Sequence, residues 1–278
     1  MTQLQGRNAV ITGAGSGLGA ALARVFAEAG ANVALLDIDE KSAEANAAGI
    51  ADELGVTTTS ARVDVGDPES VAAAAEHVRA ALGGCDILCS NVGVQQFGAI
   101  DKLTEQDWEW VLNVNVMGTV RTVREFLPML RAGSGFRRIV FTASSSVLIP
   151  SVRLGAYQTS KFAVMGFAES LREELAGEDI GVTILFPGGM MTRHLESSVL
   201  ARPSELGESL LDQSDVEAML AHQPMGDGDL ATPEHAIRNL LADLEAGEPY
   251  TLTHGSYRPL YEQRRDAIDA AFDRMEAS

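Results

Sequence analysis

The sequence predicts an α/β protein: a doubly wound parallel sheet with helices on both faces, in a single domain. Two observations carry this. Short apolar runs alternate with longer amphipathic stretches along the whole chain. A glycine-rich turn joins the first apolar run to the first helical stretch. The alternation continues past residue 150 without a linker, a repeat or a low-complexity segment. A chain of 278 residues is therefore read as one domain, 1–278.

The elements follow in order. Residues 8–12 read as the first strand, and a helix runs from the glycine-rich turn to residue 29. The second strand is 32–37, followed by an Ala-rich helix to about residue 54. Residues 57–63 read as the third strand and 68–82 as a helix, with Pro68 in the first turn where its missing N–H is not needed. The fourth strand is 87–90, and 108–131 is one long helical pattern. The fifth strand is 138–144, a helix covers 155–176, and the sixth strand is 182–186. A helix over 233–246 precedes a short final strand, 250–253.

Two stretches break the rhythm. Residues 193–230 form a long connection with Pro203, Pro224, Gly226 and Gly228, the pattern of a substrate lid. The C-terminal tail, 255–278, has helical spacing at Leu260, Arg264, Ile268, Ala271 and Phe272. It is expected to dock on the body or on a neighbouring subunit.

Composition excludes several functions. There are 21 Lys+Arg against 39 Asp+Glu, a net charge of −18. Such a chain repels phosphate backbones and anionic lipid, so neither nucleic acid nor membrane is an expected partner. No apolar run approaches the ~18–20 residues of a membrane span. The first residues lack the apolar stretch of a secretory signal, which points to a cytoplasmic protein. Cys85 and Cys89 lie four apart in a strand-like run, ~13 Å between Cα atoms, too far for a disulfide. They read as buried small side chains, and no metal site is expected. The acidity is uneven: 204–248 holds eleven acids and one base, Arg238. That segment is mostly solvated surface, and it disfavours anionic substrates near the lid.

The turn Thr12-Gly13-Ala14-Gly15-Ser16-Gly17-Leu18-Gly19 lies between a strand and a helix. Glycines allow a sharp turn and close approach of a diphosphate, and the helix N-terminus offers free N–H groups and a positive dipole end. Gly13, Ser16, Gly17, Leu18 and Gly19 are the expected contacts. Asp37 ends the second strand, eighteen residues after Gly19. An acid there can bind both ribose hydroxyls and repels a 2′-phosphate. Ile38, where an Arg would serve a 2′-phosphate, and Ser16 in the loop both favour NAD over NADP. No GxxxxGK[ST] is present, so a P-loop nucleotidase is disfavoured.

Tyr157 and Lys161 stand i, i+4 within a predicted helix, on one face and ~6 Å apart along the axis. An ammonium beside a phenol favours phenolate, so this Tyr is expected to have a lowered pKa and to exchange a proton with an alcohol. Ser144, at the predicted end of the fifth strand, lies thirteen residues before Tyr157. Its hydroxyl could hold a substrate oxygen beside the phenol, although Ser145 and Ser146 are adjacent.

Taken together, these motifs resemble the single-domain short-chain dehydrogenases/reductases, over roughly residues 5–254. The matching pieces are TGAGSGLG at 12–19, Asp37, Asp64-Val65, SNVG at 90–93, Asn115, Ser144, Tyr157/Lys161 and PGGMMT at 187–192. The resemblance implies a Rossmann-type sheet and these roles. Tyr157 is the general acid/base, Lys161 lowers its pKa and binds the nicotinamide ribose, and Ser144 orients the reacting oxygen. Asn115 holds a water that links Lys161 to solvent. Asp64 and Val65 meet the adenine, Asn91 and Gly93 border the cofactor, and Pro187, Gly188, Met190 and Thr192 lie along the nicotinamide side. Val92 replaces the family's usual small Ala, and Gly189-Met190-Met191 is bulkier than many versions of that turn.

The implied reaction is hydride transfer between NAD and a secondary alcohol or ketone. The implied pocket includes Phe97, Ser146, Leu148, Met191 and Leu195, mostly apolar, with Arg153 and Arg193 as the only cations nearby. A hydrophobic alcohol is expected: aryl, alicyclic, terpenoid or steroid-like. His194 reads as a lid surface residue. The runner-up is a 3-oxoacyl-carrier-protein-type reductase, for which Arg121, Arg124, Arg131, Arg137 and Arg138 form a local basic group. A non-catalytic dinucleotide sensor would typically lack the Tyr/Lys pair. The resemblance also implies a homodimer or homotetramer built on 108–131 and 155–176.

Overall fold

The computed structural model describes residues 3–192, 194–207, 212–222 and 230–277, except the side chains of Leu195, Val216 and Leu220. Seven parallel strands form one sheet: β1 (Asn8–Thr12), β2 (Asn32–Asp37), β3 (Thr58–Arg62), β4 (Ile87–Ser90), β5 (Arg138–Thr142), β6 (Gly181–Phe186) and β7 (Tyr250–Leu252). Their order is β3-β2-β1-β4-β5-β6-β7. The chain is a single-domain Rossmann-like fold.

Strand side chains alternate between faces, and the core divides accordingly. Val10, Leu36, Phe141 and Ile184 pack on one face with Phe126 and Leu130. Ile11, Leu35, Val140 and Leu185 pack on the other with Leu22, Phe26 and Leu240. Helices α3 (Pro68–Leu82), α5 (Gly118–Ala132) and α6 (Gly155–Glu174) cover the first face; α1 (Gly17–Glu28), α2 (Glu40–Leu54) and α10 (Leu240–Ala246) cover the second. β1 is flanked by β2 and β4 and is apolar on both faces, which explains its unbroken Ala-Val-Ile run.

Local chemistry sets several boundaries. Asp39 and Asp67 accept backbone N–H groups at the starts of α2 and α3. Gly55 and Gly83 close those helices in the left-handed region, where a Cβ would be strained. A reciprocal capping box between Thr104 and Asp107 starts α4 (Glu105–Leu112).

The expected helix over 108–131 therefore begins earlier, and it is not one regular α-helix. A π-helical turn, Asn113–Met117, separates α4 from α5, and Gly118 N–H reaches back five residues to the Asn113 carbonyl. β5 ends at Thr142 rather than at 144; Ser144 caps a 3₁₀ turn, Ser145–Val147, instead. The expected helix over 233–246 is two pieces, α9 (Pro233–Ala236) and α10. The connection after β6 is not bare loop. It holds α7 (His194–Leu200), a 3₁₀ turn (Ser204–Leu206) and α8 (Gln213–His222). Its ends meet, because Met190 bridges Ala231 and Met191 N–H donates to the Ala231 carbonyl at 3.0 Å. The tail forms α11 (Arg258–Glu276), with no buried residue.

Candidate active site

In this strand order the chain reverses direction across the sheet between β1 and β4, and ligands bind in the crevice outside the strand C-termini there. The glycine-rich turn occupies this place. Gly13 and Gly17 have φ of +71° and +53°, conformations that favour glycine. A Cβ on Gly19 would overlap the Gly13 carbonyl oxygen, so the turn closes only with glycine there. Ser16 makes no side-chain cap, which leaves the first N–H groups of α1, from Gly17, Leu18 and Gly19, available. This cradle fits a diphosphate.

Asp37 faces the same turn. Gly15 N–H donates to its Oδ2 at 2.7 Å and Asp39 N–H to its Oδ1 at 2.9 Å. A Cβ on Gly15 would stand 2.9 Å from the Asp37 carboxyl carbon, so Gly15 is required by that approach. Each oxygen keeps lone-pair capacity for a hydroxyl. Ile38 is exposed beside it.

The remaining expected cofactor residues rim the crevice. Asp64 accepts from Gly66 N–H at 2.9 Å, and buried Val65 lies against Gly118. Asn91 ties three strand ends together: its N–H and Nδ2 donate to Thr12, and its Oδ1 accepts from the Thr142 hydroxyl. A Cβ on Gly93 would sit 2.9 Å from Lys161 Nζ. On the far side the Pro187 carbonyl accepts from Ser145 N–H, and Thr192 packs next to Gly17. Gly188 N–H donates to Thr253 Oγ1 at 2.9 Å and Gly189 N–H to the Tyr257 hydroxyl at 3.1 Å. Met190 is half-buried against the core.

Ser144, Tyr157 and Lys161 converge above this rim. Helix α6 carries Tyr157 and Lys161 on one face, with Lys161 Nζ 5.6 Å from the phenol ring centroid. Lys161 is buried and donates to the Thr142 carbonyl at 2.9 Å. Two of its three N–H directions remain for other partners. Asn115, in the π-turn, is fully buried. Its side chain accepts from Val94 N–H and donates to the Val94 carbonyl and to Ser160 Oγ, each at 2.8 Å. It brackets the loop after β4 against α6 at Ser160, the residue next to Lys161.

The expected lowering of the Tyr157 pKa is corrected. Burial raises it, and hydrogen bonding with Ser144 pulls it back only in part. Burial also weakens the Lys161 ammonium, pushing its pKa down to about 8. Desolvation is the largest cause at both residues, because burial disfavours each charged form.

The expected pocket residues separate. Phe97 is half-buried on the segment that runs beside Arg153, where Gly98 N–H donates to the Arg153 carbonyl at 3.0 Å. Ser146 is buried, and its hydroxyl has no partner among the described residues. Leu148 is half-buried but packs against the core. Met191 is 60% exposed, because its backbone is pinned to Ala231, and so it does not line an enclosed pocket. Arg193 and the Leu195 side chain lie outside the described residues. Arg153 is paired with Asp215 at 2.9 Å.

The connection after β6 is tied down by residues that the sequence did not single out. Arg202 meets Asp107 at 2.7 Å with both side chains 8% exposed. It also donates to Gln96 Oε1 and lies over the Trp110 ring. Nor is His194 a surface residue: it is half-buried, with its ring centroid 6.2 Å from that of Tyr157.

Comparison with known proteins places this architecture. Residues 7–202 match the family model described as short chain dehydrogenase. The chain belongs to the short-chain dehydrogenase/reductase family of oxidoreductases. A C alpha-dehydrogenase from Sphingobium sp. is 30% identical over 278 residues, covering 100% of this chain and 90% of that protein. A D-threitol dehydrogenase from Mycolicibacterium smegmatis is 37% identical over 191 residues, 68% of this chain and 72% of that protein. The crystal structure of a family member from Burkholderia phymatum in complex with NAD superposes with a TM-score of 0.88 at 29% identity, covering 98% of this chain and 97% of that one.

Proposed function

We propose that this chain is an NAD-dependent dehydrogenase/ketone reductase of hydrophobic secondary alcohols, with residues 193–230 as its substrate lid. The observation that carries the reading is the convergence of Ser144, Tyr157 and Lys161 at the mouth of a glycine cradle that fits a dinucleotide. The cofactor is NAD, in keeping with Asp37 at the ribose position and with the NAD-bound relative. NAD supplies a hydride acceptor or donor; the protein supplies orientation and the proton path.

Ser144 holds the substrate oxygen. Tyr157 takes the hydroxyl proton during oxidation and returns it during reduction. Lys161 stabilises the phenolate and, with its remaining N–H groups, holds the nicotinamide ribose. Asn115 keeps the Val94 loop against α6, which positions Lys161. Asp64, Val65, Asn91 and Gly93 border the cofactor, as do Pro187, Gly188, Met190 and Thr192.

A hydrophobic substrate is favoured by the neutralisation of Arg153 through Asp215. The full-length similarity to a C alpha-dehydrogenase supports dehydrogenase activity. A carrier-protein reductase is disfavoured, because Arg121, Arg137 and Arg138 cap backbone carbonyls and Arg131 pairs with Glu178. We also propose a cytoplasmic homodimer or homotetramer; among the described residues no helix is long and apolar enough to cross a membrane.

Tyr157→Phe should fold and bind NADH while losing at least ~10²-fold in kcat. Wild-type-like turnover in that variant would overturn the mechanism. NADH formation on a panel of aryl, alicyclic and polyol alcohols tests the substrate class. A preference for sugar polyols without an apolar group, or for phosphorylated substrates, refutes it.

A further inference from the structure

The first residue of α7 places an imidazole over the catalytic phenol. The rings of His194 and Tyr157 are 6.2 Å apart, tilted by 58°. His194 hydrogen-bonds through its backbone N–H and carbonyl, and its ring is half-buried.

The backbone that carries this ring is held on both sides. His194 N–H donates to Thr192 Oγ1 at 3.3 Å. The His194 carbonyl accepts from Ser198 Oγ at 2.8 Å, and that same hydroxyl accepts from Gln95 N–H at 3.1 Å. Ser198 is 2% exposed. The tether thus runs from the turn after β6, through α7, to the loop after β4. It fixes the ring at the mouth of the site rather than on the lid's outer face.

Enclosure and the neighbouring Lys161 charge push the His194 pKa down to about 4. A neutral imidazole carries one N–H donor and one acceptor lone pair. Its chemistry matches an oxygen that can accept or donate, such as a hydroxyl, ether or carbonyl.

We propose that His194 is a specificity-determining residue that hydrogen-bonds a second oxygen on the substrate, borne close to the carbon that reacts beside Tyr157. This rests on the alcohol dehydrogenase reading and narrows it to an apolar alcohol bearing an adjacent oxygen function. A site built to hydrogen-bond such a group discriminates strongly against an analogue lacking it, because its own polar group is then left without a partner.

The experiment compares 1-phenylethanol with 1-phenyl-1,2-ethanediol, following NADH. The readout is the ratio of kcat/KM for the two alcohols. The parent enzyme should prefer the diol by ~10-fold or more. His194→Phe keeps a ring but removes both hydrogen-bonding nitrogens, and should collapse that ratio by a similar factor. His194→Gln keeps a donor and an acceptor and should restore part of it. A ratio unchanged in His194→Phe overturns the assignment, as does an equal loss on both alcohols, which would mark a merely structural role. If the parent oxidises neither alcohol, the substrate reading itself falls, and the assignment with it.

Discussion

The proposed catalytic residues Tyr157 and Lys161 sit in a protein environment that opposes their charges. Lys161 is buried with one backbone partner, and its pKa falls from 10.5 to about 8. Its folded pKa lies below the unfolded one, so the unfolded chain binds the extra proton between those values. Stability therefore rises with pH across that window, and below about 8 the penalty for burying the ammonium is fully present. A displacement of this size corresponds to ~3 kcal/mol. Lys161→Met removes the charge but forfeits the hydrogen bond to Thr142, worth ~1 kcal/mol. The variant should thus be inactive yet more stable than the parent by ~2 kcal/mol at pH 7, and the difference should shrink as pH rises past 8. Urea unfolding of the cofactor-free proteins at pH 7, 8 and 9 checks this. A Met variant that is no more stable at pH 7 would show that Thr142 repays the cost in full. Under the proposed function this cost keeps an ammonium in place to stabilise a phenolate.

At the scale of elements, what was legible in the sequence was local. β1, the glycine turn and β2 announce themselves because each depends on adjacent residues: an apolar run, positive-φ glycines, an acid at a strand end. The Tyr157/Lys161 pair was legible because helical spacing alone puts both on one face. The π-turn at Asn113–Met117 was not, because no residue type encodes it; it widens one turn where Asn115 must reach both Val94 and Ser160. The anchors of the connection after β6 were hidden for a different reason. Arg202 and Asp107 are far apart in sequence and read as ordinary surface charges, and only the fold buries them together. Thr253 and Tyr257 were likewise unseen, although they hold the Gly188-Gly189 turn from the opposite end of the chain. Arg202→Ala leaves Asp107 buried without its cation, a change that typically costs ~3–5 kcal/mol. Part of that cost is avoided if the connection after β6, the proposed lid, detaches. The variant should therefore melt lower and be cut faster by protease within 203–230, and its KM for alcohols should rise more than its kcat falls. Unchanged proteolysis would show that Asp107 does not hold this connection.

Over the whole molecule, polar ties to the site come from both ends of the chain's second half. Acidic residues concentrated in 204–248 are not all idle solvation: Asp215 neutralises Arg153 and Asp243 accepts from Thr251. The tail makes a contrasting case. α11 has no buried residue, and Leu260, Tyr261, Ile268, Phe272 and Met275 are exposed on it. By area it contributes little to the stability of the single chain. Its contact with the body runs through Arg264, which donates to the Val147 and Leu148 carbonyls and lies 5.0 Å over the Phe162 ring. Those carbonyls follow directly on the Ser144 turn, and Phe162 is next to Lys161. The tail is therefore a support for the active-site turn rather than a part of the core. A chain ending at Tyr257 keeps the hydrogen bond to Gly189 but loses α11. It should retain its circular dichroism spectrum and melt within ~3 °C of the parent, since a change of ~1 kcal/mol moves the midpoint of a chain this size by only a few degrees. Its kcat/KM should nonetheless fall ~3–10-fold, because a 1 Å slip of Ser144 is enough to cost that much. A fall in melting temperature above ~10 °C would instead assign α11 to the folding core, and unaltered kinetics would free the Ser144 turn from it.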